Sequence, residues 1–113
     1  MRLKLLFLSA LIFTNAVYAE NEGKRGFVMD VAVGGFFSPE VKSAKVISLE
    51  PSSNAEKAGI KVGHELIAVH DCKIPGCPAK KAKKMMTKKA GEVVLLSFRR
   101  EDQSTYSVEL VLE

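Results

Sequence analysis

The sequence predicts an α+β fold that is mostly β: a small, partly open barrel of five to six strands capped by two helices. Segments with the alternating apolar pattern of strands recur along the chain, and only two segments have helical character. Their order is strand, strand, short helix, strand, helix, strand, strand, which a barrel closed by two helices accommodates. A length of 113 residues, 47% of them apolar, allows one domain with its own core.

The first 19 residues are predicted to be a signal peptide. Arg2 and Lys4 precede the apolar run 5–13, and residues 17–19 (VYA) have the small side chains expected at a cleavage site. An uncleaved membrane anchor is the alternative, but the apolar run is short for a membrane-spanning helix. Cleavage would release a soluble protein into the periplasm or the extracellular space.

The domain is predicted to occupy residues 25–113, after a flexible segment at residues 20–24. Its strands are identified by alternation or by apolar runs. A short helix at 54–58 is ended by Gly59, and a helix rich in Ala, Lys and Met at 79–90 is ended by Gly91. The predicted strands are 27–33, 44–50, 64–70, 92–100 and 105–113.

The basic charge is concentrated in and before the second helix. Seven lysines lie between Lys73 and Lys89 with no acidic residue among them. They form either a solvated face or a surface that selects acidic partners. Nucleic acid is not an expected partner, because no aromatic residue lies among the lysines and the protein is predicted to be exported.

Cys72 and Cys77 are predicted to form a disulfide, since an even number of cysteines in an oxidising compartment favours pairing. The alternatives are unpaired thiols, a redox pair, or a metal site that recruits His64 or His70. A redox pair usually has the tighter Cys-x-x-Cys spacing, and a zinc site usually has paired, tightly spaced ligands. We therefore predict no metal and no cofactor.

No catalytic residues are predicted. A Ser–His–Asp arrangement built on either histidine would have no cleft of its own on a small barrel, and the chain is too short to carry a protease domain as well. No phosphate-binding glycine loop and no paired-carboxylate site is present.

Residues 50–71 (EPSSNAEKAGIKVGHELIAVHD) resemble the signature of PDZ domains: a strand, a turn, a short helix, Ala-Gly-apolar, Gly and an apolar strand. Residues 80–100 resemble the groove helix of that family and the strand after it. The similarity, which covers nearly all of 25–113, is to the bacterial, protease-associated subtype, in which the last strand fills the place of the first. Residues 105–112 could do so here.

The resemblance implies a non-catalytic module that binds an extended or C-terminal peptide as an added strand, between a groove strand and the groove helix. Gly26-Phe27 would hold a terminal carboxylate, Ala79 would favour an apolar side chain two residues before the peptide end, and Lys83 would favour acidic peptides. An adaptor for an internal segment of one fixed partner is the alternative. The implied peptide-binding residues are Arg25, Gly26, Phe27, Val28, Met29, Ala79, Lys83 and Met86.

Overall fold

The computed structural model describes residues 23–113. The predicted signal peptide and the first part of the predicted flexible segment lie outside the described residues. Within residues 23–113, no helix combines the length and the apolar character needed to cross a bilayer.

The described chain forms six strands and two helices, which confirms the predicted α+β class with mostly β structure. The helices are α1 (Asn54–Lys57) and α2 (Ala79–Met86). The strands are β1 (Phe27–Gly34), β2 (Glu40–Leu49), β3 (Glu65–Val69), β4 (Cys72–Lys73), β5 (Val93–Arg99) and β6 (Thr105–Val111).

All strand pairs are antiparallel and belong to one sheet. The strand order is β1-β2-β3-β5-β6, and β4 pairs with β3 off this path. Lys24 and Glu113 exchange two backbone hydrogen bonds of 2.8 and 3.0 Å. The end of the chain therefore lies beside the segment that precedes β1, and the sheet curves into a partly open barrel.

The core follows from the period-two pattern of the strands. In β5, Val94, Leu96 and Phe98 are buried, while Val93 and Leu95 on the other face are exposed. Each large apolar side chain that is fully removed from water contributes about 1.5–3 kcal/mol. The largest fully buried side chains are those of Phe98, Ile60, Leu96, Leu110, Leu112, Val46, Val69 and Val94.

α1 forms where the sequence predicts it, because its ends are specified locally. The Ser53 hydroxyl accepts a hydrogen bond from the Glu56 N–H at 3.2 Å and donates one to the Glu50 carbonyl at 2.7 Å. Gly59 adopts a φ of 95°, which ends the helix and sends the buried Ile60 into the core.

α2 ends at Met86, four residues before the predicted end at residue 90. The N–H and the hydroxyl of Thr87 both donate to the Lys83 carbonyl, at 3.0 and 2.8 Å, and Thr87 leaves the helical region with φ −111° and ψ 56°. The Lys88 carbonyl then accepts a hydrogen bond from the Gly23 N–H at 3.0 Å. Gly91 lies in the turn before β5, so the prediction that it ends the helix was wrong.

Two further differences concern the strands. β2 begins at Glu40, earlier than the predicted residue 44, because residues 40–43 pair with the second half of β1. β4 was not predicted. It is held by pairing with the end of β3, where Ala68 lies opposite Lys73 and Val69 opposite Cys72.

Candidate functional site

Two adjoining cavities lie between β1 and α2. The first, which we call the loop cavity, has a volume of about 590 Å³ and lies at the start of β1. The second, the groove cavity, has a volume of about 290 Å³ and follows the face of β1 that carries Met29, Val31 and Val33. Arg25 and Met86 line both cavities, so the two form one slot.

The slot exists because of where α2 packs. The helix rests mainly against β2 and β3, through the buried Ala82 and Met86, and it stands off from β1. The floor of the groove cavity is formed by core residues such as Leu66 and Val69. Within the described residues, the position of α2 leaves Val31 and Val33, on the inward face of β1, exposed.

The structure brings all eight of the peptide-binding residues implied by the sequence resemblance to this slot. Gly26, Phe27 and Val28 line the loop cavity; Met29, Ala79 and Lys83 line the groove cavity; Arg25 and Met86 line both. Their role in binding a peptide stays a prediction.

Two of the eight are parts of the core as much as of the slot. Phe27 is 5% exposed and packs edge-on against Phe98, with ring centroids 6.2 Å apart. Met86 is 6% exposed. Both side chains therefore form part of the floor of the slot, and a bound molecule would contact only their exposed surface.

Sequence reasoning missed several residues of the groove cavity. Val31 and Val33 are 45% and 52% exposed and continue the inward face of β1 beyond Met29. The alternation of residues 27–33 could have identified them. Ile74 supplies part of the wall from the loop between the two cysteines, and no local sequence pattern indicates this position.

The edge of β1 is open in the described part of the chain. β1 pairs with β2 on one side, and no other strand of residues 23–113 pairs with it. The register shifts between Val28 and Met29 and between Ala32 and Val33, so the strand is irregular at two points. An edge strand presents backbone N–H and C=O groups that a further strand can bond.

The loop before β1 has a fixed shape. Gly26 has a φ of 83°, and a Cβ added to it would lie 2.6 Å from the Ser53 Cβ, so a larger residue does not fit. The Gly26 carbonyl accepts a hydrogen bond from the Glu50 N–H at 2.8 Å. Within residues 23–113, the N–H groups of Arg25 and Gly26 have no acceptor. Two successive backbone donors of this kind favour an anion.

Positive side chains surround the loop cavity. Arg25, whose guanidinium carbon lies 5.8 Å from the centroid of the Phe27 ring, lines both cavities, and Lys24 and Lys88 line the loop cavity. Glu50 is the acidic residue among the lining residues. The lining therefore carries an excess of positive charge, which favours an anionic group over a cationic one.

The predicted disulfide is confirmed: Cys72 and Cys77 are bonded to each other, and no free cysteine remains. The loop that it closes is tied to β2, because Val41 donates to the Cys77 carbonyl at 2.8 Å and Gly76 donates to the Val41 carbonyl at 3.0 Å. Ile74, which lines the groove cavity, lies within this closed loop, and its N–H donates to the Ile67 carbonyl at 2.9 Å. The disulfide fits an oxidising, exported compartment.

The two histidines lie outside the slot. His64 is buried, and its Nδ1 lies 2.7 Å from the Tyr106 hydroxyl oxygen. Burial, followed by the charges of Arg100 and Lys61, lowers the pKa of His64 below its usual value. In residues 23–113, no three His, Cys, Asp or Glu side chains are grouped in a way that could hold a metal ion.

No protein-family model matches the sequence, and no curated protein is significantly similar to it. The geometry of the slot is therefore the basis for the functional argument.

Proposed function

We propose that this protein is a non-catalytic, PDZ-like module that binds the C-terminal segment of a peptide or protein as an added strand, in the periplasm or outside the cell. The observation that carries the proposal is the apolar slot between the open edge of β1 and α2. Strand addition needs an unpaired edge and pockets for alternate side chains, and the slot offers both.

The order of the elements supports the resemblance to PDZ domains. A groove strand, a short helix after the second strand, a groove helix and a final strand follow one another as the resemblance implies. The pairing of Lys24 with Glu113 brings the last strand to the start of the domain, where the protease-associated subtype would have it.

The bound chain would run along β1 with its carboxylate at the loop cavity. The loop at Gly26-Phe27 would hold the carboxylate through backbone N–H groups, including that of Gly26, while Lys24 and Lys88 would strengthen the attraction. The slot extends along the strand as far as Val33. At about 3.3 Å per residue, this length accommodates roughly six residues of an extended peptide.

The walls of the groove cavity favour a ligand with apolar side chains, and a basic residue of the protein lies nearby. Val31, Ala79 and Ile74 offer apolar contacts, and Lys83 lies on the exposed rim. A side chain that fits between these residues loses its contact with water, which contributes about 25 cal/mol for each Å² buried. An acidic residue beside Lys83 would speed encounter more than it would increase affinity.

The test is a titration with a pool of random hexapeptides, prepared once with free carboxylates and once as amides. We expect the free acids to bind and the amides to bind at least tenfold more weakly, because a charge-assisted hydrogen bond contributes about 1.5–3 kcal/mol. Absence of binding by both pools would contradict the proposal. Equal binding of both would favour the adaptor alternative, in which an internal segment occupies the slot.

A matched pair of variants locates the site. Val31→Asp places a charge in the groove cavity, whereas Ala32→Asp places the same charge on the adjacent, opposite face of β1, which is exposed and lines neither cavity. We expect Val31→Asp to abolish peptide binding and Ala32→Asp to retain it. Equal loss in both variants would mean that the peptide does not lie in the slot.

A further inference from the structure

A second exposed apolar feature lies beyond the groove, at the tip of the hairpin that joins β1 to β2. Phe36 and Phe37 are 97% and 98% exposed, and their ring centroids are 6.0 Å apart. Large apolar side chains are commonly exposed only in part, and two adjacent ones in full contact with water indicate an interaction surface. Neither residue lines the slot.

Basic residues lie beside the base of the loop that carries these two rings. We call residues 34–39 the tip loop; it contains no charged residue. The side chain of Lys42 lies against Gly34, where its Cε is 3.0 Å from the position of an added Cβ. The Ala79 N–H donates to the Pro39 carbonyl at 2.9 Å. The first turn of α2, with the exposed Lys80 and Lys81, therefore adjoins the same loop.

We propose that the tip loop inserts Phe36 and Phe37 into the surface of a membrane that contains anionic phospholipids. The loop is the projecting turn of a hairpin, and a projecting apolar turn can enter the boundary between headgroups and acyl chains. Lys42, Lys80 and Lys81 would remain at the level of the anionic headgroups. The half-buried Glu40, at the base of the loop, offsets part of this positive charge.

This arrangement distinguishes lipid from a protein partner. A lipid surface matches a convex apolar tip with lysines behind it. Each lysine near an anionic bilayer contributes about 1 kcal/mol, or about fivefold in affinity. The inference goes beyond peptide binding and does not depend on it. It would place the Val33 end of the groove cavity near the bilayer and leave the Gly26 end directed away.

The test uses residues 20–113, the chain without its predicted signal peptide. The protein contains no tryptophan, so a single introduced tryptophan can serve as a fluorescent reporter. The variant Phe37→Trp is mixed with vesicles of phosphatidylethanolamine and phosphatidylglycerol, and separately with vesicles of phosphatidylcholine. We expect its emission to move to shorter wavelength, and to be quenched by brominated acyl chains, with the anionic vesicles only. The variant Val62→Trp, at an exposed valine outside the tip loop, should not respond.

Binding is measured by flotation of the same chain with the anionic vesicles. The double variant Phe36→Ser, Phe37→Ser should bind at least tenfold more weakly, and Lys80→Gln with Lys81→Gln should lose about fivefold for each lysine. The control Ile47→Ser, Val62→Ser removes two exposed apolar side chains elsewhere and should bind as the wild type does.

Three results would overturn the proposal. The first is undiminished vesicle binding by the double serine variant. The second is equal binding to phosphatidylcholine. The third is a change in the emission of Phe37→Trp that depends on protein concentration without vesicles, which would assign the tip loop to a contact with a second copy of the chain.

Discussion

β1 and β6 are the two ends of the same path of strands, but their edges have different surroundings. Beside β1, α2 supplies a wall and the core supplies a floor, so that Val31 and Val33 face a cavity. Beside β6, the side chain of Asn54 donates to the Val111 carbonyl at 2.9 Å, and Lys24 pairs with Glu113. Neighbouring groups thus occupy one end of the β6 edge, whereas the described residues leave β1 open.

The two edges differ in their side chains as well as in their neighbouring groups. The exposed face of β6 is mainly polar, with Ser107 paired to Ser97 across the strands at 2.9 Å, and the exposed Glu109 discourages a further strand. At β1 the inward side chains are apolar and the nearby charges are positive. The proposed binding would use the edge, the slot and the charge together.

The largest expected effect is the loss of stability on replacing Phe98, which contacts both the β1 strand and the β6 strand. Phe98 is fully buried in β5, packs edge-on against Phe27 below the slot, and stacks on Tyr106 of β6 at 5.5 Å. Phe98→Ala should lower the free energy of unfolding by about 3–5 kcal/mol, since it leaves a cavity in the core. Urea denaturation measures this loss.

The tip loop provides the matched control for that substitution. Phe37→Ala removes the same side chain from a 98% exposed position. The free energy of unfolding should change by less than about 0.5 kcal/mol. Similar losses in the two variants would mean that Phe98 does not pack between the two sides as described.

The second-largest effect should change the surroundings of β1 and leave those of β6 unchanged. Replacing both cysteines, Cys72→Ala with Cys77→Ala, removes the covalent closure of the loop whose Ile74 lines the groove cavity. We expect a loss of about 2 kcal/mol in the free energy of unfolding, because the closed loop is short. NMR shifts should change around the groove and remain unchanged along β6; changes of equal size at both edges would contradict the comparison.

The third effect concerns binding alone. Arg25→Gln removes a positive charge that lines both cavities, and we expect about a fivefold loss of affinity for a free C-terminal peptide together with a weaker dependence on salt. The control is Arg99→Gln on β5, whose nearest acid is Glu65 at 3.9 Å. A loss of the same size in Arg99→Gln would show that net charge, rather than position, governs the titration.

The sequence was sufficient for those elements whose signals are local. The apolar run at residues 93–98 predicts β5, and the sequence from Ser53 to Gly59 contains both ends of α1. The alternation in residues 27–33 identifies the inward face of β1. These patterns determine the fold class, because each element must bury the face that its period defines.

The rest depended on contacts between distant residues. The end of α2 is set in part by the bond between the Lys88 carbonyl and Gly23, which lie far apart in the sequence, so helix propensity could not locate it. β4 has two residues and is too short to show a period. Ile74 reaches the slot from a loop that is bonded to both β2 and β3, which no local pattern indicates.

The smallest expected effect is a dependence of stability on pH that originates on the β6 side. Burial and nearby positive charge hold the pKa of His64 below its usual value near 6.5, so the unfolded chain binds a proton more readily than the folded chain does. The stability is therefore fully present above this usual value and is lost progressively as the pH falls below it, until the folded pKa is passed. Urea denaturation at pH 7.5 and 5.5 should show this loss, and His64→Gln should reduce it.

The same change of pH should leave the β1 side almost unaffected. A peptide carboxylate, with a usual pKa of about 3.5, stays ionised between pH 7.5 and 5.5, so the charge that the loop cavity would recognise is constant. We therefore expect the peptide affinity of the wild type to remain constant across a range in which its free energy of unfolding falls. If His64→Gln retains the pH dependence of stability, that dependence does not originate at His64. If affinity and stability fall together, the β1 edge and the β6 edge are not independent in the way that their different surroundings imply.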